Sequence, residues 1–142
     1  MKARAILMAG MMTLTVMAST RVAQAQDHLV VNVPFDFAAG GATLPAGEYS
    51  VKASEASRML LLINRTNPGV SVVIPANPAQ SDEIQTRSRL IFRRYGLRYF
   101  LSQVWTEGSA FGKQLPQSAR EREMALSASI QAWDEVVIAA NH

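Results

Sequence analysis

The sequence predicts a small all-β domain, an antiparallel β-sandwich or barrel of about six to eight strands. Short segments of apolar or alternating residues are separated by glycine- and proline-containing turns, and no series of helical patterns lies between them. In segment 87–106, aliphatic and aromatic runs lie on both sides of Gly96, which is typical of a β-hairpin. We take this segment as the central hairpin and favour the sandwich over the barrel.

The first 25 residues have the pattern of a signal peptide. Lys2 and Arg4 precede an uncharged and largely apolar run over residues 5–20, and Ala-Gln-Ala at 23–25 supplies the small residues that a signal peptidase reads. The run is shorter than the roughly 20 apolar residues of a membrane-spanning helix, which argues against a retained anchor. We therefore expect residues 26–142 to form one β-rich domain that is extracytoplasmic, either periplasmic or secreted, and does not span the membrane.

The charge balance changes when this segment is removed. The whole chain has 14 Lys and Arg residues against 11 Asp and Glu residues. Lys2, Arg4 and Arg21 lie in the predicted signal peptide, and without these three the positive residues also number 11. A near-neutral chain is not typical of nucleic-acid binding, which depends on neutralising phosphates. Cysteine is absent from the sequence, which excludes thiol catalysis, thiolate metal sites and disulfides.

The first predicted strand covers residues 26–37. Polar and apolar residues alternate through it, as in a strand with one buried face. Its apolar face comprises Leu29, Val31, Val33, Phe35 and Phe37. Because Pro34 has no N–H group to donate, we expect it either in a strand at a sheet edge or on the side that faces away from a neighbouring strand.

Three further strands follow in the first half of the chain. Two turns over residues 38–47 lead to an alternating strand at 48–53. The apolar run at 57–63 predicts a strand that is buried on both faces. Asn-Pro-Gly at 67–69 predicts a turn, because proline presets φ and glycine accepts a positive φ, and it leads to a strand at 70–74.

The second half contains the hairpin, one helix and a final strand. Residues 75–85 carry two prolines and residues 107–115 two glycines, so both are predicted to be loops. Segment 117–126 is predicted to form a short helix, since Ser118 and Glu121 have the spacing of a capping box. Residues 135–139 form the last strand, which in a barrel would pair with the first.

The register of the central hairpin has two solutions. A two-residue turn at Gly96-Leu97 pairs Phe92 with Leu101. A three-residue loop that also includes Tyr95 pairs Phe92 with Phe100 instead. A slip of one residue exchanges the two faces of a strand, so the sequence leaves the register open.

Few residues suggest catalysis or metal binding. The two histidines, His28 and His142, lie near the predicted mature termini and match no ligand spacing. Asp36 and Glu48 flank the glycine-rich turn and could act as the paired carboxylates of a glycoside hydrolase, although charged residues beside turns are more often solvated. No nucleophile elbow or phosphate-binding loop occurs. We expect no enzymatic activity and no cofactor.

The notable charge cluster lies in the central hairpin. Its members are Arg87, Arg89, Arg93, Arg94 and Arg98. Such charges either protect exposed strands from edge-to-edge aggregation or form a basic patch for an anionic partner. The predicted contact surface comprises Arg93, Arg94, Tyr95, Arg98, Tyr99 and Trp105. Its expected partner is an envelope protein, a glycan or a lipid head group.

Several motifs are familiar together. They are Val-Pro-Phe-Asp-Phe at 33–37, Leu-Pro-Ala-Gly-Glu-Tyr at 44–49, the Leu-x-Phe-x-Arg-Tyr-Gly-x-x-Tyr-Phe-Leu run at 90–101, Val-Trp at 104–105, and Leu-Pro-x-Ser-x-x-Glu at 115–121. This layout resembles a group of short, signal-bearing bacterial proteins of unassigned function. The resemblance implies an exported β-domain and transfers no catalytic residue.

These observations predict an exported, non-enzymatic β-domain with a binding or structural role at the cell envelope. An alternative is a small-molecule carrier with an apolar barrel cavity, and a weaker alternative is a glycan-active hydrolase that uses Asp36 and Glu48. The carrier cavity would be lined by Leu61, Ile63, Phe92 and Leu101.

Overall fold

The computed structural model describes residues 28–54, 56–127 and 133–141. The predicted signal peptide and His142 lie outside the described residues. The described elements are β1 (His28–Val33), β2 (Phe37–Ala39), β3 (Ala42–Leu44), β4 (Gly47–Ser54), β5 (Met59–Asn64), β6 (Ser71–Pro75), β7 (Asn77–Gln80), β8 (Arg89–Tyr95), β9 (Arg98–Trp105), β10 (Phe111–Gln114), α1 (Ala119–Ser127) and β11 (Asp134–Ala139).

The strands form two sheets that do not close into a barrel, so the predicted all-β class is confirmed and the sandwich is the better description. One sheet has the antiparallel order β1-β4-β5-β6. The other has the order β11-β8-β9-β10-β7, and β2 pairs with β9 in parallel and with β3 in antiparallel orientation. More strands are present than the six to eight predicted, because β2, β3, β7 and β10 contain only three or four residues each.

The first predicted strand is divided between the two sheets. β1 ends at Val33, directly before Pro34, and the chain resumes as β2 at Phe37 in the other sheet. The apolar face is otherwise as predicted, because Leu29, Val31, Val33 and Phe37 are buried and Phe35 is partly buried. Proline interrupts the ladder because it lacks a backbone N–H group.

Aromatic rings from both sheets meet in the core. Phe37 packs edge-to-face against Tyr49 of β4, with ring centroids 5.2 Å apart, and against Phe92 of β8 at 5.4 Å. All three side chains are almost completely buried. Edge-to-face aromatic pairs add to the stability that burial provides. These contacts anchor β2 between the sheets, next to the end of the central hairpin.

The prediction that segment 57–63 is buried on both faces is wrong. Leu60 and Leu62 of β5 are fully buried, but Met59, Leu61 and Ile63 alternate with them and are only partly buried. The reason is that β5 belongs to an antiparallel sheet with one face on the core, so successive side chains point to opposite faces.

The central hairpin is confirmed, and the structure settles its register. Phe92 pairs with Leu101 and Tyr95 with Arg98, so the turn has two residues, Gly96 and Leu97. Gly96 has a φ of +62°, the conformation that such a turn requires. Farther from the turn, Ile91 pairs with Gln103, which leaves Ser102 as an extra residue in a β-bulge.

Both predicted loops contain a strand, so these two predictions are wrong. Segment 75–85 includes β7, and segment 107–115 includes β10, and the two strands pair with each other. Pro78 is tolerated because β7 lies at the sheet edge. Gly112 of β10 lies so close to β9 that an added Cβ would approach Cε3 of Trp105 to 2.6 Å. Strand pairing over long sequence distances thus overrides local propensity.

The helix and the last strand form as predicted. α1 begins after Ser118, whose Oγ accepts a hydrogen bond from the N–H of Glu121 at 3.2 Å. β11 pairs with β8, and Asn141, two residues after β11, forms an isolated bridge with Val30 of β1. The part of the chain that the structure describes contains no helix that is long and apolar enough to cross a membrane.

Candidate functional site at the hairpin turn

The six residues of the predicted contact surface do not lie on one face. Side chains alternate along β8, so Arg94 lies on the same face as the core residue Phe92. Arg93 and Tyr95 lie on the opposite face, where they contact α1. Trp105 shares the face of Arg93, and Tyr99 pairs with Arg94. The last member, Arg98, follows the turn and is exposed.

Arg93 and Tyr95 hold the helix against the sheet. Nε of Arg93 lies 2.8 Å from Oε1 of Glu121, and the two side chains are only 12% and 3% exposed. The Tyr95 hydroxyl donates to the same oxygen at 3.3 Å. Burial raises the pKa of Glu121, while the charge of Arg93 and the hydrogen bond from Tyr95 oppose that rise. Arg93 and Tyr95 are therefore engaged inside the protein, as positioning groups for α1.

Arg94 and Trp105 also have internal partners. Nη2 of Arg94 lies 2.6 Å from Oδ2 of Asp134, and this ion pair, together with a hydrogen bond to Tyr99, raises the pKa of Arg94. The indole N–H of Trp105 donates to Oε1 of Gln103 at 2.9 Å, and the ring is buried. These contacts join β8 to β11 and fix the Trp105 ring against β9.

Arg98 and Tyr99 line a cleft beside the hairpin turn, which we call the turn cleft. Its volume is about 340 Å³. β2, β3, the hairpin turn and the first turn of α1 contribute to its walls. The lining residues are Asp36, Phe37, Ala38, Thr43, Leu97, Arg98, Tyr99, Phe100 and Arg120.

The local fold explains why these side chains meet at the turn cleft. Ala38 of β2 pairs with Phe100 of β9, which places the chain around Asp36 beside the hairpin turn. Glu121 is buried against β8, so its neighbour Arg120 is brought to the same end of the sheet. Tyr99 is held by stacking on Phe35, with ring centroids 3.8 Å apart. The walls of the cleft are thus fixed by strand pairing and aromatic packing.

The turn cleft has two arginines whose charges are not neutralised by ion pairs. Within residues 28–54, 56–127 and 133–141, the ion pairs involve Arg65, Arg93 and Arg94, and neither Arg98 nor Arg120 takes part in one. Both side chains are exposed. Two guanidinium groups at one cleft are a suitable binding site for a carboxylate or a phosphate.

One carboxylate also lines the turn cleft. Oδ1 of Asp36 accepts a hydrogen bond from the backbone N–H of Ala46 at 2.8 Å. Asp36 therefore fixes the turn that precedes β4, and its second oxygen is available as an acceptor for a hydroxyl group of a ligand. Thr43, which also lines the cleft, adds a hydroxyl group. The cleft thus combines two cations with both donor and acceptor groups.

The apex of the hairpin carries an apolar side chain. Leu97 is 96% exposed, the most exposed of the large hydrophobic residues in the described part of the chain. It also lines the turn cleft, next to Arg98. A leucine and a guanidinium group are therefore presented together at the rim.

The other candidate residues are distributed over the molecule. Nε2 of His28 lies 2.6 Å from Oγ of Ser50 on the neighbouring strand, and the described residues hold no group of three or more side chains that could bind a metal. Glu48 forms an exposed ion pair with Arg65 at 2.7 Å, whereas Asp36 bonds to the backbone of Ala46. Each of the two carboxylates thus has its own structural partner.

The four residues proposed for a carrier cavity do not share one. Phe92 and Leu101 belong to the packed core, whereas Leu61 and Ile63 lie on the outer face of β5. An opening beside Leu29 and Val104 measures about 40 Å³, the size of a water site rather than of a ligand site. The turn cleft, at the surface, has the volume of a ligand site.

Of the residues that line the turn cleft, Arg98 and Tyr99 were predicted from the sequence as contact residues, and Arg120 was not. Arg120 lies 22 positions after Arg98, and only the burial of Glu121 against Arg93 brings it to the hairpin. The capping pattern at Ser118 and Glu121 predicted where the helix begins, but no local pattern predicts the strand against which it packs.

Known proteins give no further guidance. A scan against protein-family models, a search of curated proteins and a search of solved structures each return no match.

Proposed function

We propose that this chain is an exported, non-enzymatic β-domain that binds an anionic partner at the cell envelope through the turn cleft. One observation carries the proposal: Arg98 and Arg120 line a cleft of about 340 Å³, and neither forms an ion pair within the described residues. Export itself rests on the predicted signal peptide.

The composition of the turn cleft favours binding over catalysis. Its polar groups are two guanidinium groups, one carboxylate and one hydroxyl group, from Arg98, Arg120, Asp36 and Thr43. A hydroxyl nucleophile needs an adjacent general base, and no histidine of the described residues lines the cleft. Asp36 is committed to the Ala46 backbone through one of its oxygens. These groups can recognise charge and hydroxyl groups without performing a reaction.

A second candidate function is a carrier of a small anionic molecule. The volume of the turn cleft lies within the range of small-molecule sites, about 300 to 1,000 Å³. In this version the ligand occupies the surface cleft and not the interior of the sandwich. The mass of the component that co-purifies with the protein distinguishes a carried small molecule from a larger envelope partner.

Native mass spectrometry of the protein purified from its own host tests the proposal. We expect a bound component on the wild type, and its loss from the double variant Arg98→Gln/Arg120→Gln. The matched control is Arg87→Gln/Arg122→Gln, which removes the same charge from two exposed arginines outside the cleft. A component that is retained by the first variant, or lost equally from both, contradicts the proposal. A wild type that carries nothing after gentle isolation contradicts it as well.

A further inference from the structure

We infer that the occupant of the turn cleft is the phosphate-bearing head group of an anionic phospholipid, and that the hairpin apex contacts the membrane surface. This inference rests on the proposed function and names the chemical class of its partner. It is carried by the exposed Leu97, which lines the turn cleft together with Arg98 and Arg120, two cations that form no ion pair within the described residues.

The exposed leucine at the hairpin apex favours a membrane surface. Leu97 is 96% exposed at the apex of a two-residue turn, where Gly96 has a φ of +62°. Apolar side chains that project from a basic surface gain free energy when they enter the boundary between lipid head groups and acyl chains. A soluble anion would make no use of Leu97, whereas a membrane surface contacts it and the adjacent guanidinium groups at once.

The positive charges of the turn cleft favour a phosphate group. Arg98 and Arg120 are exposed and are not ion-paired within the described part of the chain. Guanidinium groups bind phosphate oxygens through paired hydrogen bonds. Each arginine near an anionic membrane surface increases affinity about fivefold, so the pair accounts for about thirtyfold.

The size and lining of the turn cleft fit a single lipid head group. The apex residue and both arginines line one cleft of about 340 Å³, which holds a head group while the acyl chains remain in the bilayer. Asp36 and Thr43 line the same space and can accept from or donate to the hydroxyl groups of a glycerol or sugar head group. The carboxylate of Asp36 also disfavours a cleft filled by several anionic groups, which fits a single phosphodiester.

Flotation of the purified protein with lipid vesicles tests this inference. We expect binding to vesicles of equal parts phosphatidylglycerol and phosphatidylcholine, and none to phosphatidylcholine alone. Arg98→Gln/Arg120→Gln should weaken the binding about thirtyfold, and Leu97→Ser should also weaken it. Arg87→Gln/Arg122→Gln and Phe111→Ser are the controls. Phe111 is an exposed apolar residue, at 62%, that does not line the turn cleft.

Two outcomes would overturn the inference. Vesicle binding that does not depend on Leu97 and is displaced by millimolar inorganic phosphate would show a site for a free anion. No binding to the anionic vesicles would exclude the lipid. If the native mass spectrum then still shows a component that depends on Arg98 and Arg120, the proposed function stands without the lipid. If that component is missing too, both fail.

Discussion

Replacing Glu121 with alanine should be among the most destabilising single changes in α1. Glu121 is the only carboxylate among the described residues that is buried, at 2% exposure, and its partner Arg93 lies on the central strand β8. The substitution leaves the guanidinium group of Arg93 without its counter-charge and removes the acceptor of the Tyr95 hydroxyl. The whole domain, and not only α1, should therefore lose stability.

The magnitude follows from burial. Removing one partner of a buried ion pair costs about 3–5 kcal/mol, because the remaining charge stays desolvated. The matched control is Asp134→Ala, which breaks the ion pair between Arg94 and Asp134. Those side chains are 40% and 65% exposed, and an ion pair that solvent screens to this extent contributes little to stability.

Urea unfolding followed by circular dichroism measures the difference. With a urea dependence of about 2 kcal/mol per molar, Glu121→Ala should lower the midpoint by about 2 M and Asp134→Ala by about 0.5 M or less. Equal midpoints for the two variants would refute the reasoning, because they would mean that the pair between Arg93 and Glu121 is effectively solvated.

Three further outcomes are expected. Burial holds the pKa of Glu121 above its ordinary value, so the stability that Glu121 contributes is full in acid and is lost as the pH rises through its folded-state pKa. The free energy of unfolding of the wild type, measured relative to Glu121→Gln by urea titration, should therefore fall from acid to neutral pH. A rise would contradict this sign. Tyr95→Phe removes the hydroxyl group that donates to Glu121 and should cost about 1 kcal/mol in the same assay, whereas no loss would mean that the bond is not made in solution. Gly112→Ala brings a Cβ to 2.6 Å from the Trp105 ring and should cost about 1–3 kcal/mol of stability. In the control Gly69→Ala the nearest contact of the added Cβ is 3.4 Å, so the thermal midpoint should change little. Similar midpoints for both variants would contradict the close approach of Gly112 to Trp105.

The features that sequence predicted well are those with a local physical cause. Alternation over residues 28–37 identified the buried face of β1, and Ser118 with Glu121 identified the start of α1. The hairpin around Gly96 was predicted for the same reason, because strand-forming runs lie on both sides of a glycine, whereas the length of its turn was left open. Each signal lies within about ten residues of chain.

The features that sequence missed depend on distant parts of the chain. β7 contains Pro78 and β10 contains Gly112. β7 becomes a strand by pairing with β10 across more than thirty residues, and β10 pairs with both β7 and β9. The capping box suggested that Glu121 would bond to its own helix terminus, whereas its carboxylate contacts Arg93. No local pattern reports a partner at that separation.

The candidate site was predicted in part. The arginine cluster drew attention to the hairpin, but the periodicity of β8 places Arg93 and Arg94 on opposite faces, where each has a carboxylate partner. Arg98 forms no ion pair within the part of the chain that the structure describes, and it lines the turn cleft together with Arg120. Which arginines are available for a ligand is set by the positions of Glu121 and Asp134 in the fold.

The most direct test of the account is an NMR titration of the ¹⁵N-labelled protein with a short-chain phosphatidylglycerol that dissolves as a monomer. We expect the side-chain Nε–H signals of Arg98 and Arg120, and the backbone amide signal of Leu97, to shift together in a saturable manner. Signals of Arg87 and Phe111 should not move. Shifts at these two residues, or no shift at the turn cleft, would contradict the central claim that the cleft at the hairpin turn binds an anionic partner.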